Sequence, residues 1–196
     1  KKSSQPLTQC RRRLQKLFGD HILGEDDTTI AASLQSALRA AGKKMVSAES
    51  CTGGQIAALM TAEPGSSEVF EAGFIAYANH IKHSVLGVKN ETLRTHGAVS
   101  KSVVKEMLSG ALARSGADIG IAVSGIAGPA GGTPEKPVGT IWLAWGTDAS
   151  MHTLCTALPT ERVILQKLVA AAGLDLIRRQ ILGLPKLPHY FTRRAI

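Results

Sequence analysis

The sequence predicts an α/β sandwich around a mixed sheet of five strands, and three observations support this class. Short apolar segments alternate with segments of helical periodicity along the 196 residues of the chain. Segment 117–125 (ADIGIAVSG) is apolar throughout, as expected of a central strand that is buried on both faces. Segments 138–146 and 152–158 are joined by a short polar stretch and predict a hairpin, which makes the sheet mixed.

The first half of the chain alternates helices and strands after a basic lead-in with a helix at 7–18. The next helix is predicted from Ile30, because Leu34 and Leu38 follow at helical spacing and Gly42 is a stop signal. The further elements of this half are, in order, a strand at 43–48, a helix at 52–62, a strand at 72–78, a short helix at 79–88 and a helix from the capping Ser100 to residue 116. The second half adds the central strand, a glycine-rich loop, the hairpin and a last helix that begins at Thr160 and runs toward Gly183.

Basic residues are concentrated at the two ends of the chain. Residues 1–23 carry six Lys or Arg and one acid, residues 178–196 carry five and none, and residues 24–177 carry 12 basic and 14 acidic side chains. A basic tail can bind a phosphate backbone, but no aromatic stacking platform accompanies these ends. We therefore interpret them as solvated tails and expect no specific nucleic-acid partner.

Cysteine usage and hydropathy restrict the class of protein further. The three cysteines, Cys10, Cys51 and Cys155, are odd in number and widely spaced, which argues against a disulfide framework or a zinc site and for a reducing cytoplasm. No apolar run approaches the roughly 18 residues that a membrane span needs, and no secretory signal is visible at the start. We therefore expect a cytoplasmic protein with no membrane partner.

The turn within residues 46–60 (VSAESCTGGQIAALM) is the first candidate for chemistry. Ser50 and the two residues after it lie between a predicted strand and a predicted helix. Helix capping by serine or threonine is the common role of such residues, and the residues alone favour it. The alternative is a nucleophilic serine on an exposed turn whose N–H groups bind an oxyanion. Gly53 and Gly54 would keep this turn open to a ligand.

A nucleophilic serine needs a base, and Lys82 is the candidate that the predicted topology supports. Lys82 follows the strand that contains Tyr77, as Ser50 follows the preceding strand, and ligands gather at the carboxyl ends of strands in open α/β sheets. Burial could lower the pKa of the lysine, and Tyr77 could relay a proton or orient the amine. A solvated lysine and a core tyrosine are the simpler interpretations, and His80 is the nearest alternative base.

The loop 124–137 (SGIAGPAGGTPEKP) is the third candidate. Ser124 ends the predicted central strand, and Gly125 and Gly128 follow it. Backbone N–H groups in such a loop can wrap a phosphate, although the loop matches neither a Walker sequence nor G-x-G-x-x-G. A long loop without a ligand is the alternative, but two glycine-rich turns after two strands favour a shared site.

Taken together, these stretches resemble the CinA C-terminal domain family, the nicotinamide-nucleotide amidohydrolases. The resemblance covers about residues 29–182, and it rests on AESCTGG (48–54), GFIAYANHIKHSVLGV (73–88), HGAVS (96–100), SGIAGPAGG (124–132) and KPVGTIWLAWG (136–146). It implies a three-layer α/β/α sandwich with a mixed, mainly parallel five-stranded sheet. It also implies hydrolysis of nicotinamide mononucleotide to nicotinate mononucleotide and ammonia, in pyridine nucleotide salvage, with no metal or cofactor.

The resemblance assigns the nucleophile to Ser50, the family's tyrosine to Tyr77 and its lysine base to Lys82. Oxyanion and substrate contacts are assigned to Cys51, Thr52, Gly53, Gly54, Asn79, Ser124, Gly125, Gly128 and Arg162. The last helix departs from the family pattern, in which a Gly-Asp-Arg and a later Arg are frequent. Here Arg162 is retained, whereas Glu161 and Gln166 occupy the other places.

The resemblance also extends to the domain organisation and partners. Stretch 18–29 (FGDHILGEDDTT) is similar to the connector of longer CinA proteins, and the chain starts with Lys1 rather than Met. We therefore expect residues 1–28 to be a lead-in and connector, 29–183 the amidohydrolase domain and 184–196 a basic tail. The expected partners are a molybdopterin-binding-like N-terminal domain, absent from this chain, and further copies of the chain in a homo-oligomer.

Two further expectations follow. Removal of residues 1–23 should leave folding and activity nearly unchanged, because the predicted core starts after them. The alternative function is an inactive nucleotide-binding or interaction module, consistent with the family's link to competence and DNA-damage operons. The joint presence of Ser50, Tyr77 and Lys82 favours the enzyme.

Overall fold

A five-stranded sheet with helices on both faces organises the computed structural model, which describes residues 4–192. The strands are β1 Met45–Glu49, β2 Phe70–Ile75, β3 Ile119–Gly125, β4 Thr140–Gly146 and β5 Met151–Ala157. The helices are α1 Ser4–Phe18, α2 Ile30–Ala41, α3 Gln55–Ala62, α4 Asn79–Leu86, α5 Asn90–His96, α6 Lys101–Ser115, α7 Arg162–Ile181 and α8 His189–Thr192. None of the helices in the described part of the chain combines the length and the hydropathy that a membrane span requires.

The sheet has the spatial order β2-β1-β3-β4-β5. Strand β1 pairs in parallel with both β2 and β3, whereas β4 is antiparallel to β3 and to β5. Four strands therefore run in one direction and β4 alone, among the described strands, runs in the other. The predicted mixed, mainly parallel sheet is confirmed.

Alternate residues of the strands face two separate helical layers. Ile121 of β3 packs in an apolar cluster with residues of α2, α3 and α7, and its neighbour Ala122 packs in a second cluster with residues of α6. Gly120 lies on the α6 side, where an added Cβ would come within 2.8 Å of a Leu108 methyl group. Small residues on this face thus let α6 lie close to the sheet, and the three-layer sandwich is confirmed.

Local signals explain where elements begin and end. Thr29 caps α2, since its side chain accepts the N–H of Ala32, and Gly42 ends the helix in a left-handed conformation (φ 60°). Helix α3 begins at Gln55 rather than at residue 52, because Gly53 and Gly54 adopt φ values of 62° and 98° that extend the turn. Helix α5 was not expected; Leu93 is its one buried residue, so its apolar pattern is weak.

Two basic residues at the chain's C-terminal end are buried in α7, so the interpretation of solvated ends is wrong for them. Arg178 and Arg179 are 2% and 0% exposed, and both bind the carboxylate of Asp175. Arg179 also pairs with Asp20, and Arg178 donates to the Asp20 carbonyl oxygen at 2.8 Å. A buried guanidinium needs such partners. The segment around Asp20 is therefore attached to α7, so removal of residues 1–23, which was expected to have little effect, should lower the melting temperature.

This attachment separates the effects of two changes near the start of the chain. Residues 6–17 of α1 are exposed, so deleting residues 1–17 should change the melting temperature by about 1 °C or less. Asp20→Asn removes the negative charge that pairs with the buried Arg179, although Arg179 retains its pair with Asp175. The substitution should lower the free energy of unfolding by about 1–2 kcal/mol, which is about 3–6 °C in the melting temperature measured by calorimetry at pH 7.

The pH dependence of the melting-temperature difference between wild type and Asp20→Asn provides the control for this measurement. Burial opposes ionisation of Asp20, but the hydrogen bond and charge of Arg179 outweigh it and lower the pKa of this carboxyl. The stabilisation is therefore complete above the ordinary aspartate pKa and is lost as pH falls through the lowered value. The difference between wild type and Asp20→Asn should shrink in that acidic range. Equal melting temperatures of wild type and Asp20→Asn at pH 7 would show that the Asp20–Arg179 pair contributes nothing to stability.

Candidate active site

The carboxyl ends of β1, β2 and β3 meet at one edge of the sheet, and the predicted site residues lie there. Ser50 directly follows β1, Lys82 lies in α4 after β2, and Ser124 is near the end of β3. Because β1 pairs in parallel with both neighbours, these ends lie side by side. Side chains from all three segments line a cavity of about 200 Å³.

Lys82 is buried although lysine is ordinarily charged. Its side chain is 1% exposed, and Nζ lies 2.8 Å from the carbonyl oxygens of both Ala76 and Tyr77. Nζ also lies 3.0 Å from Ser50 Oγ, within the hydrogen-bonding distance that the sequence predicted. Burial lowers the pKa of Lys82, because a charged amine is poorly solvated there.

The geometry around Nζ accommodates a neutral amine as well as an ammonium, which would donate to all three oxygens. A neutral lysine has two N–H groups and one lone pair. The two N–H groups can donate to the carbonyl oxygens of Ala76 and Tyr77, and the lone pair can then accept the proton of the Ser50 hydroxyl. This arrangement can remove a proton from the serine.

Helix α4 delivers the lysine to this position. Lys82 and Leu86 are the two buried residues among those described for α4, and they lie one turn apart on its inner face. The backbone N–H of Lys82 closes the first turn of the helix by donating to Ala78 O at 3.0 Å. Side chains on a helix lean toward its N-terminus, which directs the amine back to the end of β2.

Glu49 holds the turn at residues 50–54, which carries Ser50 and is called the nucleophile turn below. The sequence did not predict this role for Glu49. Its fully buried carboxylate accepts the N–H groups of Gly54, Ile56 and Ala57 at 2.9–3.1 Å, and also the Ser47 hydroxyl. An anion at the positive end of α3 is favourable. The capping function that the sequence suggested for the serine and threonine of the turn thus belongs to this acid.

Few backbone N–H groups of the turn remain available to a ligand. The Gly53 N–H donates to Ser50 O at 3.1 Å, and the Gly54 N–H is taken by Glu49. Between residues 50 and 58 of the described chain, the amides of Cys51 and Thr52 are the two without a hydrogen bond to another residue. The predicted oxyanion contacts therefore narrow to these two amides.

The thiol beside Ser50 is not a competing nucleophile. Cys51 lines the cavity but is 4% exposed. Burial raises its pKa to about 12, so the thiol remains protonated at neutral pH. The hydroxyl of Ser50 is the side chain of this turn that contacts a base.

Helix α7 contacts the site through two residues that lie one turn apart, and Arg162 is the one of the two that lines the cavity. Arg162 donates from Nη1 to Gly128 O at 3.0 Å and from Nη2 to the Tyr77 hydroxyl at 3.1 Å. Gln166 donates from Nε2 to Cys51 O at 2.8 Å. The helix thus connects the nucleophile turn, the segment after β2 and the glycine-rich loop.

The structure brings some of the predicted residues to the cavity and leaves others outside its lining. Ser50, Cys51, Tyr77, Lys82, Ser124, Gly125 and Arg162 line it. Asn79 is exposed at the start of α4, and His80, the alternative base, is exposed beside it. Thr52 is buried and its hydroxyl has no hydrogen-bond partner. Gly128 contributes through its carbonyl oxygen, which binds Arg162.

Three apolar residues complete the lining, and the sequence did not single them out. They are Ala98, Val99 and Ala127. Ser124 Oγ donates to Ala98 O at 2.8 Å, which joins the segment before α6 to the end of β3. Within residues 4–192, no group of three or more His, Cys, Asp or Glu side chains is placed to hold a metal ion.

Comparison with known proteins agrees with this architecture. The sequence model of the CinA C-terminal domain family matches residues 27–181. The chain belongs to this family. It is 46% identical over 186 residues to a CinA-like protein of Colwellia psychrerythraea, with 93% of this chain and 43% of that protein covered.

Two further relatives define how far the CinA similarity extends. A putative competence-damage inducible protein of Symbiobacterium thermophilum is 51% identical over 186 residues, which is 90% of this chain and 44% of that protein. The chain spans less than half the length of the curated relatives it matches. A CinA superfamily protein structure from Klebsiella pneumoniae superposes with a TM-score of 0.76 at 33% identity, covering 79% of this chain and 96% of that one.

The role of Glu49 in this CinA domain can be tested through stability. Glu49→Ala leaves three N–H groups at the start of α3 without an acceptor, so the free energy of unfolding should fall by about 2–4 kcal/mol in urea titrations. Glu71→Ala is the control, because its partner Lys44 is exposed and such surface pairs contribute about 0–1 kcal/mol. Similar losses in both variants would contradict the assignment of the cap to Glu49.

Proposed function

We propose that this CinA domain hydrolyses the carboxamide of nicotinamide mononucleotide to nicotinate mononucleotide and ammonia. The observation that carries the proposal is the buried Lys82 amine 3.0 Å from Ser50 Oγ. Serine becomes a nucleophile when a neighbouring base removes its proton, and a buried lysine is suited to this because burial lowers its pKa. The sequence resemblance names the substrate class.

The first half of the reaction forms an acyl-enzyme. Neutral Lys82 accepts the Ser50 proton as Oγ attacks the carboxamide carbon, and the C=O electron pair moves to the oxygen. The tetrahedral intermediate then collapses, the C–N bond breaks, and the ammonium of Lys82 returns the proton to the departing nitrogen. Ammonia leaves, and the acyl group remains on Ser50 as an ester.

Water completes the reaction through the same groups. Lys82, neutral again, accepts a proton from a water molecule that attacks the ester carbon. Collapse of the second intermediate breaks the bond to Ser50 Oγ, and Lys82 gives the proton to that oxygen. Nicotinate mononucleotide leaves, and both residues return to their starting states.

The amides of Cys51 and Thr52 are the donors that we assign to the oxyanion. They directly follow the nucleophile and have no hydrogen bond to another residue in the described chain. Such donors stabilise the charge that develops on the carbonyl oxygen, and removal of one donor typically costs 10²–10³ in kcat. Glu49 supports them indirectly, because it binds the later N–H groups and so fixes the turn.

Arg162 is the cation that we assign to the phosphate of the substrate. Its partners in the described chain, Gly128 O and the Tyr77 hydroxyl, are uncharged. The guanidinium charge is therefore free to attract an anion. A cavity of about 200 Å³ is smaller than most drug-sized sites, so we place the pyridine carboxamide inside and the ribose phosphate at the rim with Arg162 and Tyr77.

An ammonia-release assay with nicotinamide mononucleotide tests the proposal. Wild type should release ammonia, and Ser50→Ala should not. Lys82→Met keeps the stem but lacks the amine, and turnover should fall by about 10²–10⁴-fold. Lys82→Arg should also fail, because guanidinium stays protonated. Lys89→Met is the matched control, since Lys89 is exposed, and it should retain activity.

Two outcomes would overturn the proposal in different ways. Near-normal turnover in Lys82→Arg would exclude lysine as the base. If the folded wild type binds the nucleotide without releasing ammonia, the domain is instead the inactive nucleotide-binding module. Circular dichroism of each variant separates loss of chemistry from loss of fold.

A further inference from the structure

We infer that Gln166 is a positioning residue, which holds the Cys51–Thr52 peptide bond so that the Thr52 N–H is presented to the oxyanion. The inference rests on the proposed amide hydrolysis and adds a residue to it. Gln166 does not line the cavity, and its contribution comes through the backbone of the nucleophile turn.

The contact that supports this inference joins two segments 115 residues apart in the chain. Gln166 Nε2 donates to the Cys51 carbonyl oxygen at 2.8 Å. The same amide lies over the turn, since a Cβ added at Gly53 would be 3.8 Å from Nε2. Leu165 and Val169 are buried on either side of Gln166 in α7, so the helix that carries it is firmly packed.

Peptide geometry converts this contact into control of an N–H group. The Cys51 C=O and the Thr52 N–H belong to one planar, trans peptide unit and point in opposite directions. A hydrogen bond that fixes the carbonyl oxygen therefore also fixes the direction of the N–H. It polarises the unit as well, which strengthens the N–H as a donor.

Among the described residues, the Gln166 contact is the hydrogen bond that this peptide unit itself makes, whereas the neighbouring units are held by the Gly53 N–H on Ser50 O and the Gln55 N–H on Thr52 O. The Thr52 amide has no hydrogen bond to another residue, and the buried Thr52 hydroxyl has no partner. Without Gln166, no hydrogen bond made by this unit would oppose its rotation about ψ of Cys51 and φ of Thr52, so its N–H would be directed less firmly to the site.

Steady-state kinetics with Gln166→Met give the first test. Methionine has a similar length but no donor, so kcat for ammonia release should fall about tenfold, less than for outright loss of an oxyanion donor. KM should change less than about twofold, because substrate binding in the ground state does not use this amide. Lys167→Met is the matched control: Lys167 is the exposed neighbour on the same helix, and both constants should be retained.

An NMR measurement reports on the peptide unit without any substrate. Labelling cysteine carbonyls with ¹³C and threonine amides with ¹⁵N selects the two Cys–Thr peptide bonds of the chain, Cys51–Thr52 and Cys155–Thr156. In Gln166→Met the Thr52 amide signal should shift or broaden. The Thr156 signal, in β5, should not move and serves as the internal control.

The outcomes distinguish this inference from the proposed function. An unchanged Thr52 signal, or an unchanged kcat in an active protein, would overturn the positioning role. A wild type that releases no ammonia would overturn the proposed function. In that case a shifted Thr52 signal would still show that Gln166 orients the turn, and an unshifted signal would show that it does not.

Discussion

The burial of the Lys82 amine is the constraint on which the rest of the site depends. Among the described residues, the hydrogen-bond partners of Nζ are two carbonyl oxygens and the Ser50 hydroxyl, and no carboxylate forms an ion pair with it. A charged amine in this place has hydrogen-bond acceptors but no opposite charge, and its burial lowers the pKa and so favours the neutral form. Parallel pairing of β1 with β2 brings the serine to this amine, so the order of the strands determines which groups meet.

A second constraint is the distribution of N–H groups at the start of α3. Glu49 accepts three of them with a fully buried carboxylate, and the two amides directly after the nucleophile donate to no other residue of the described chain. Helix α7, near the C-terminal end of the chain, completes the site. Its Arg162 donates hydrogen bonds to Tyr77 and Gly128, and its Gln166 donates one to the nucleophile turn. The site is therefore assembled from segments that are distant in sequence, and it depends on the packing of α7 against the sheet.

Sequence patterns predicted the features that depend on local order along the chain. Ser50 and Lys82 each follow an apolar segment, and strand ends in α/β proteins are where ligands bind, so their meeting could be anticipated. The role of Glu49 could not be anticipated, because an acid at the end of a strand is ordinarily exposed. Glu49 caps α3 because the fold buries its carboxylate against the first N–H groups of that helix. Gln166 escaped notice because its contact spans 115 residues. Arg178 and Arg179 were mistaken for tail residues, although Asp175 stands three and four positions before them, a spacing that favours ion pairs within a helix.

Direct titration of the Lys82 side chain tests the central claim most directly. With ¹³C,¹⁵N-lysine labelling, the Lys82 signals can be assigned by their absence in Lys82→Met and followed against pH by NMR. Because the folded protein favours the neutral amine, the midpoint should lie below the ordinary lysine pKa of about 10.4, with the neutral form gained as pH rises through it. A midpoint at or above the ordinary value would mean that the buried amine stays charged at working pH and cannot accept the proton of Ser50.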